Sequence, residues 1–244
     1  MRVLSLVHGP DARSGIFGEA VRDAGHELDE RSYPLGRVPD PVETYDALIV
    51  LGGSMNVHEI DGHPWILEEQ RTIAGALEAG VPVLGVCLGG QLLGAVAGGR
   101  VHRAPRPEIG WFEVATSDAA SEDALFAGLP PRFLAYQWHS YCVEPPDEAV
   151  VLATSSVCVQ ALRLGESAWA TQFHAEVTAP IVERWIANYR TDPDAVALGF
   201  DPERERRRLH EEIGRWNELG RELVGGFLAA AARRAGIPPQ ASPA

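Results

Sequence analysis

The 244-residue sequence predicts an α/β protein: a mostly parallel twisted sheet with helices on both faces, a small antiparallel addition and C-terminal helices. Three observations carry this. Short apolar runs alternate with helix-length amphipathic segments through the first hundred residues, the pattern of β–α–β units. Two of the runs, DALIVLGG (46–53) and VPVLGV (81–86), are apolar throughout rather than alternating, as strands covered on both faces are. After Pro180 the chain becomes charged and helix-periodic.

In order, RVLSLV (2–7) reads as a buried strand, 14–24 as a helix and 26–33 as a second strand with Leu28 flanked by charges. DALIVLGG is the third strand. WILEEQRTIAGALEAG (65–80) has Ile66, Ile73 and Leu77 at helical spacing, with Gly80 placed to end it. VPVLGV and LGGQLLGAVAGG (88–99) follow as strand and helix. From about 100 to 178 the pieces are shorter: WFEVAT, FLAYQW, AVVLAT, VCVQALRL and AWATQF extend the sheet, partly antiparallel. In the last long segment, Leu209, Ile213, Trp216, Leu223 and Phe227 fall on one stripe interrupted by Gly220. That stripe is expected to pack on the chain's own domain, the alternative being a partner-binding helix. PERERRR is read as a solvated helix face. The expected organisation is one domain over 1–190, a helical extension over 191–236 packed on it, and a disordered tail over 237–244. No internal repeat is visible.

The formal net charge is −13, from 21 Lys and Arg against 34 Asp and Glu, which argues against a general nucleic-acid surface. Cys87, Cys142 and Cys158 form no CxxC pair and are odd in number, so a reducing, cytoplasmic setting is expected over a disulfide framework. The apolar start of the chain is too short for a signal-peptide core, and no run approaches a membrane span. The glycines form no GxGxxG after a strand, and no GxxxxGK[ST] occurs.

Cys87 stands apart. In GVCLG it lies where a strand gives way to a helix, with Gly85 and Gly89 two residues to either side. A sharp turn there strains the backbone and presents the side chain, and the glycines let strand and helix approach closely: a nucleophile elbow with cysteine in the serine position. The N–H groups opening the helix favour a thiolate, and that of Leu88 is placed to stabilise an oxyanion beside the sulfur. A thiolate nucleophile needs a proton carrier with an orienting carboxylate. Of eight histidines, His174 in QFHAEVT fits, because Glu176 projects to the same side of an extended segment.

GVCLGGQLL closely resembles the active-site signature of the class I (triad) glutamine amidotransferases. GGSMNV, PWI, EIGW, QWH and QFHAEVT follow the family's order, over about residues 45–180. The pattern is most similar to the stand-alone group related to the glutaminase domain of GMP synthase. The resemblance implies a flavodoxin-like sheet and a Cys87–His174–Glu176 triad that cleaves the glutamine side-chain amide through a γ-glutamyl thioester. It places the oxyanion hole at the N–H groups of Gly53 and Leu88, with Gly52 beside the substrate. Gln91 would help hold glutamine, and His139, Ser140 and Tyr141 would lie near its α-amino and α-carboxylate groups. No metal or cofactor is implied, and no nucleic acid or membrane. Relatives usually have proline where this chain has Ala175, and often an aspartate after QWH where this chain has Ser140-Tyr141.

A glutaminase of this kind passes ammonia to a separate synthetase subunit, since the sequence has neither a P-loop nor the SGG-type ATP-pyrophosphatase motif of GMP synthase. Two alternatives stand beside it: a stand-alone γ-glutamyl peptide hydrolase, and a non-catalytic regulatory or binding module on the same fold. A cysteine protease or chaperone-like hydrolase on a related sheet is disfavoured by Gln91 and the GGSM loop. Cys158 is read as a buried small hydrophobe, and Cys142 near His139 lacks an elbow. His58 and His63 in HEIDGH fit no common zinc spacing and are assigned to a rim or lid loop. His8 follows the first strand and could line the edge of the site, a point the sequence leaves open.

Overall fold

The computed structural model describes residues 1–10 and 12–237. Nine strands form one sheet in the order β2-β1-β3-β4-β9-β8-β7-β5-β6. Strands β1 (Arg2–Leu6), β2 (Glu27–Arg31), β3 (Ala47–Val50), β4 (Val83–Val86) and β9 (Ala168–Thr171) pair in parallel. β5 (Arg100–Thr116), β6 (Arg132–Glu144), β7 (Val150–Thr154) and β8 (Val159–Leu164) pair antiparallel, and β8 joins β9. β3, β4 and β9 are buried at every position, because helices cover both faces of that part of the sheet.

The two faces bury different residues of the same strands. Ala47 and Ile49 face α1 (Gly15–Asp23), α4 (Ala179–Asn188) and α6 (Pro202–Arg234), whereas Leu48 and Val50 face α2 (Trp65–Glu78) and α3 (Leu88–Val96). Gly80, at φ +67°, ends α2, and the Val81 N–H returns to the Ala76 carbonyl at 2.8 Å. A short helix, α5 (Pro193–Ala197), precedes α6. No helix among the described residues is long and apolar enough to cross a membrane.

Two features depart from the pattern of the sequence. The antiparallel part is larger than expected: β5 runs 17 residues and β6 13. Pro105 and Pro107 conceal the first half of β5, yet the pairing register shifts between Arg103 and Glu108, and an irregularity of that kind accommodates residues that cannot donate to the ladder. PERERRR is not wholly solvated. Glu205 lies four residues before Leu209, on the same face of α6, and is 4% exposed against Gly110. The α6 stripe packs on the chain's own core: Leu209, Trp216, Leu223 and Phe227 are buried and Ile213 packs beside them. Apart from Ile237, whose N–H donates to the Ala232 carbonyl, the expected tail over 237–244 lies outside the described residues.

Candidate active site

The carboxyl ends of β3, β4 and β9 converge on one point, as sites in open α/β sheets do. A single residue separates β4 from α3, and it is Cys87. Its backbone stands at φ +52°, ψ −110°, the one positive φ outside glycine among the described residues. Close packing holds this strain. The Cys87 N–H donates to the Thr171 carbonyl at 2.8 Å and that of Gly89 to Leu51 at 3.1 Å. A β-carbon at Gly85 would lie 2.5 Å from the Gly89 oxygen, and one at Gly89 would lie 2.1 Å from that of Val50. Neither position admits a side chain, which is the physical reason for the GxCxG spacing. Leu88 opens α3, directly after Cys87, so its N–H has no intrahelical partner.

His174 follows β9, its N–H held by the Tyr136 carbonyl at 2.9 Å. Its Nδ1 lies 2.8 Å from Glu176 Oε1, both side chains buried. Its Nε2 has no hydrogen-bond partner. Gly52 lies between histidine and cysteine: a β-carbon there would be 2.8 Å from His174 Cε1 and 3.4 Å from Cys87 Cβ. Burial works against the imidazolium, but Glu176 and Cys87 outweigh it and push the His174 pKa up to about 10.

The segment 174–177 is clamped from three helices. Trp216 Nε1 of α6 donates to the His174 carbonyl at 2.8 Å, and Asn217 Nδ2 to that of Val177 at 2.7 Å. Gly220 approaches so closely that a β-carbon would sit 2.3 Å from the Ala175 oxygen. From α1, the Ile16 N–H donates to the Glu176 carbonyl at 2.8 Å, and Trp185 of α4 sets its ring edge-on to His174 at 4.8 Å. With these restraints the backbone at Ala175 is fixed without a proline.

His8 does more than line the edge. Its Nδ1 donates to the Gly52 carbonyl at 2.8 Å and its Nε2 to Glu69 Oε2 at 2.8 Å, with both side chains buried. Two acceptors require both nitrogens to be protonated. Burial opposes this, yet Glu69 wins and raises the His8 pKa. Trp65 packs over the ring at 5.2 Å, and Gly53 sits between His8 and Leu88. The pair thus anchors the Gly52-Gly53 loop against the cysteine. Glu69 carried no sequence signal: it is one of two adjacent glutamates in a helix, 61 residues from its partner.

The other sequence candidates divide. Cys87, Gly52, Gly53, Leu88, His174 and Glu176 come together, and the Trp138 carbonyl lies 4.0 Å from Cys87 Sγ. Gln91 is buried, with Nε2 donating to the Tyr141 carbonyl and to Gln172 Oε1, both at 3.1 Å. The ring nitrogens of His139 face the Tyr141 carbonyl (3.0 Å) and Glu108 (3.2 Å) rather than the thiol. Ser140 Oγ donates to Asp194 of α5, which also pairs with Arg103. The Tyr141 ring lies 5.9 Å from the Arg103 guanidinium and 6.3 Å from the His58 ring. His58 Nε2 contacts the Val101 carbonyl at 3.1 Å, and neither His58 nor His63 joins a cluster of potential metal ligands among the described residues.

Comparison with known proteins agrees with this geometry. Residues 21–184 match the family described as glutamine amidotransferase class-I. The glutamine amidotransferase-like protein YfeJ of Salmonella typhimurium is 30% identical over 191 residues, 76% of this chain and 80% of that one. The glutamine-hydrolysing GMP synthase of Ignicoccus hospitalis has a subunit that is 32% identical over 166 residues, covering 66% of this chain and 82% of that one. A glutamine amidotransferase of Thermotoga maritima superposes with a TM-score of 0.85 at 28% identity, over 93% of this chain and 98% of that one. The chain belongs to the class I glutamine amidotransferase family.

Proposed function

We propose that the chain hydrolyses the side-chain amide of glutamine and passes the ammonia to a separate synthetase subunit. The observation that carries this reading is the strained Cys87 beside an unpaired, proton-bearing His174 Nε2. Cys87 Sγ, its proton given to His174, attacks the amide carbon. The oxygen takes the negative charge and the N–H groups of Gly53 and Leu88 stabilise it. As the tetrahedral intermediate collapses, His174 Nε2 gives its proton to the departing nitrogen and ammonia leaves. Water then attacks the γ-glutamyl thioester, His174 takes its proton, and glutamate is released with the thiol restored. Glu176 holds the imidazole with Nε2 toward the sulfur.

Binding of the amino-acid end would fall to the strand beyond Trp138. Ser140 is two residues further along β6, roughly 6.6 Å at strand rise, which suits the reach of an extended glutamine from its side-chain amide to its α-amino and α-carboxylate groups. There Asp194 offers a carboxylate to the α-ammonium group and Arg103 a guanidinium to the α-carboxylate, so Asp194→Asn should raise KM for glutamine more than it lowers kcat. Two relatives that are themselves named as GMP synthase subunits, from Ignicoccus hospitalis and Sulfolobus acidocaldarius, support a synthetase partner of that kind. A reducing cytoplasm suits three free thiols.

The test is steady-state release of ammonia and glutamate from glutamine and from a γ-glutamyl dipeptide, with Cys87→Ala as control. Slow, Cys87-dependent turnover of glutamine and none of the dipeptide is the expected result. Faster turnover of the dipeptide would make the chain a γ-glutamyl peptide hydrolase, and no turnover of either, with the fold intact, would make it a binding module.

A further inference from the structure

A second buried set of thiol, imidazole and carboxylate lies within the antiparallel half of the sheet, where the amide chemistry makes no use of it. One ligand atom each of Glu108 on β5, His139 on β6 and Cys158 just before β8 lie within 4.8 Å of one another. We propose that these three residues form a binding site for a tetrahedral, thiophilic divalent cation of the zinc type.

The tautomer of His139 favours this. Its Nδ1 faces the Tyr141 carbonyl at 3.0 Å, so the proton sits there and the lone pair of Nε2 is turned the other way. That Nε2 is buried, makes no hydrogen bond, and lies 3.2 Å from Glu108 Oε2. An imidazole fixed by its far nitrogen on a carbonyl is the usual arrangement of a metal-binding histidine.

Distance points the same way. Bonds of about 2.3 Å to sulfur and about 2.0–2.1 Å to nitrogen and oxygen give tetrahedral edges of roughly 3.3–3.7 Å. The observed edges are 3.2 Å from nitrogen to oxygen and 3.9 Å from sulfur to oxygen. The third edge, from the His139 nitrogen to the Cys158 sulfur, lies within 4.8 Å, so closing on an ion draws the thiol inward.

The surroundings supply the rest. Glu108 is fully buried and its Oε1 has no partner, while Ser155 Oγ and Gln160 Nε2 orient Oε2 at 3.0 and 2.8 Å. A buried carboxylate with no basic side chain from Lys or Arg on it is costly, and a cation offsets that cost. Cys158 is half-buried and opens the cluster to solvent through the 155–158 turn. The set differs from the catalytic one in that no strained backbone or helix start presents its sulfur, so it holds an ion rather than attacks a carbonyl.

The experiment uses the full chain carrying Cys87→Ser, so that the catalytic thiol cannot contribute. After treatment with a chelator, cobalt(II) is titrated and then displaced by zinc(II). One equivalent should bind with the near-ultraviolet thiolate-to-cobalt absorption and the strong visible bands of a tetrahedral site. Adding Cys158→Ser should remove the thiolate absorption, and zinc affinity should fall by more than the ~10–100-fold typical of losing an outer partner of a ligand. If the Cys87→Ser chain binds no cobalt stoichiometrically, or binds it without thiolate absorption, the proposal is wrong. That outcome is read on the parent and does not depend on whether the second variant folds.

Discussion

His174 and His139 occupy two regions that look alike in composition and differ in what they present. Each histidine is buried beside a carboxylate, Glu176 or Glu108, and each has a cysteine close by. At His174 the carboxylate takes Nδ1 and leaves Nε2 toward a thiol on a strained turn at a helix start. At His139 a backbone carbonyl takes Nδ1, the carboxylate faces Nε2, and the nearby thiol belongs to an ordinary turn. The lesson is that Cys, His and Glu in proximity do not make a nucleophile. What sets Cys87 apart is its backbone, which holds the sulfur at the amino end of α3 where glycines clear the space.

The sharpest way to break this comparison is to exchange the thiols. Cys87→Ser should lower amide hydrolysis by about a thousandfold or more with the melting temperature unchanged, because an alkoxide forms far less readily than a thiolate. Cys158→Ser should leave amide turnover within about twofold of the parent, the fold permitting, since effects at non-contacting sites are nearly independent. Comparable losses in both variants would erase the distinction between the two regions.

Glu176→Gln comes next. Without the carboxylate only Cys87 still opposes burial, and the His174 pKa should fall from about 10, measurable by NMR titration of the ring. Turnover should drop by about a hundredfold or more, with a smaller change in KM. The sign for stability follows. Because the folded pKa lies above that of the unfolded chain, the stabilisation from this proton is complete below about pH 6.5 and is lost as pH rises through about 10. Glu176→Gln should flatten that alkaline loss.

His8→Gln tests a third pair, which has no thiol at all. The amide can still donate to the Gly52 carbonyl but cannot be an imidazolium against Glu69, so kcat should fall roughly tenfold while KM changes little. An equal loss in kcat and stability, with no change in the pH profile, would reduce the pair to a structural one. The smallest effect is expected at Glu205, buried against the hairpin that carries Glu108. Burial raises its pKa, so its contribution turns unfavourable as pH climbs above the ordinary carboxylate range. Glu205→Gln should raise the melting temperature by about 2–4 °C at pH 7–8 and by nothing below pH 4.

The reactive half of the molecule was legible because its chemistry is local in sequence. GVCLG spans one turn, and His174 and Glu176 are two residues apart on one extended segment. The parallel strands that carry them are apolar throughout and bounded by glycine. What escaped notice depends on long-range pairing. Glu69 reaches His8 across 61 residues and Asp194 reaches Ser140 across 54. Glu108 meets His139 only because β5 and β6 fold back on each other at that register. The first half of β5 escaped because its prolines suggest an end to a strand, whereas an irregular register tolerates them. The inward turn of Glu205 escaped because a charge run gives no sign of which member faces the core.

The matched family region ends at residue 184, yet the indole that holds the His174 carbonyl belongs to residue 216, and the glycine that makes room for Ala175 to residue 220. Order of synthesis therefore separates possession of the triad from its use. A ribosome has delivered Cys87, His174 and Glu176 well before it delivers Trp216, and until α6 docks, the histidine loop lacks two of its hydrogen bonds. The restraint on His174 is thus supplied by a helix that the chain reaches only after the matched family region is complete.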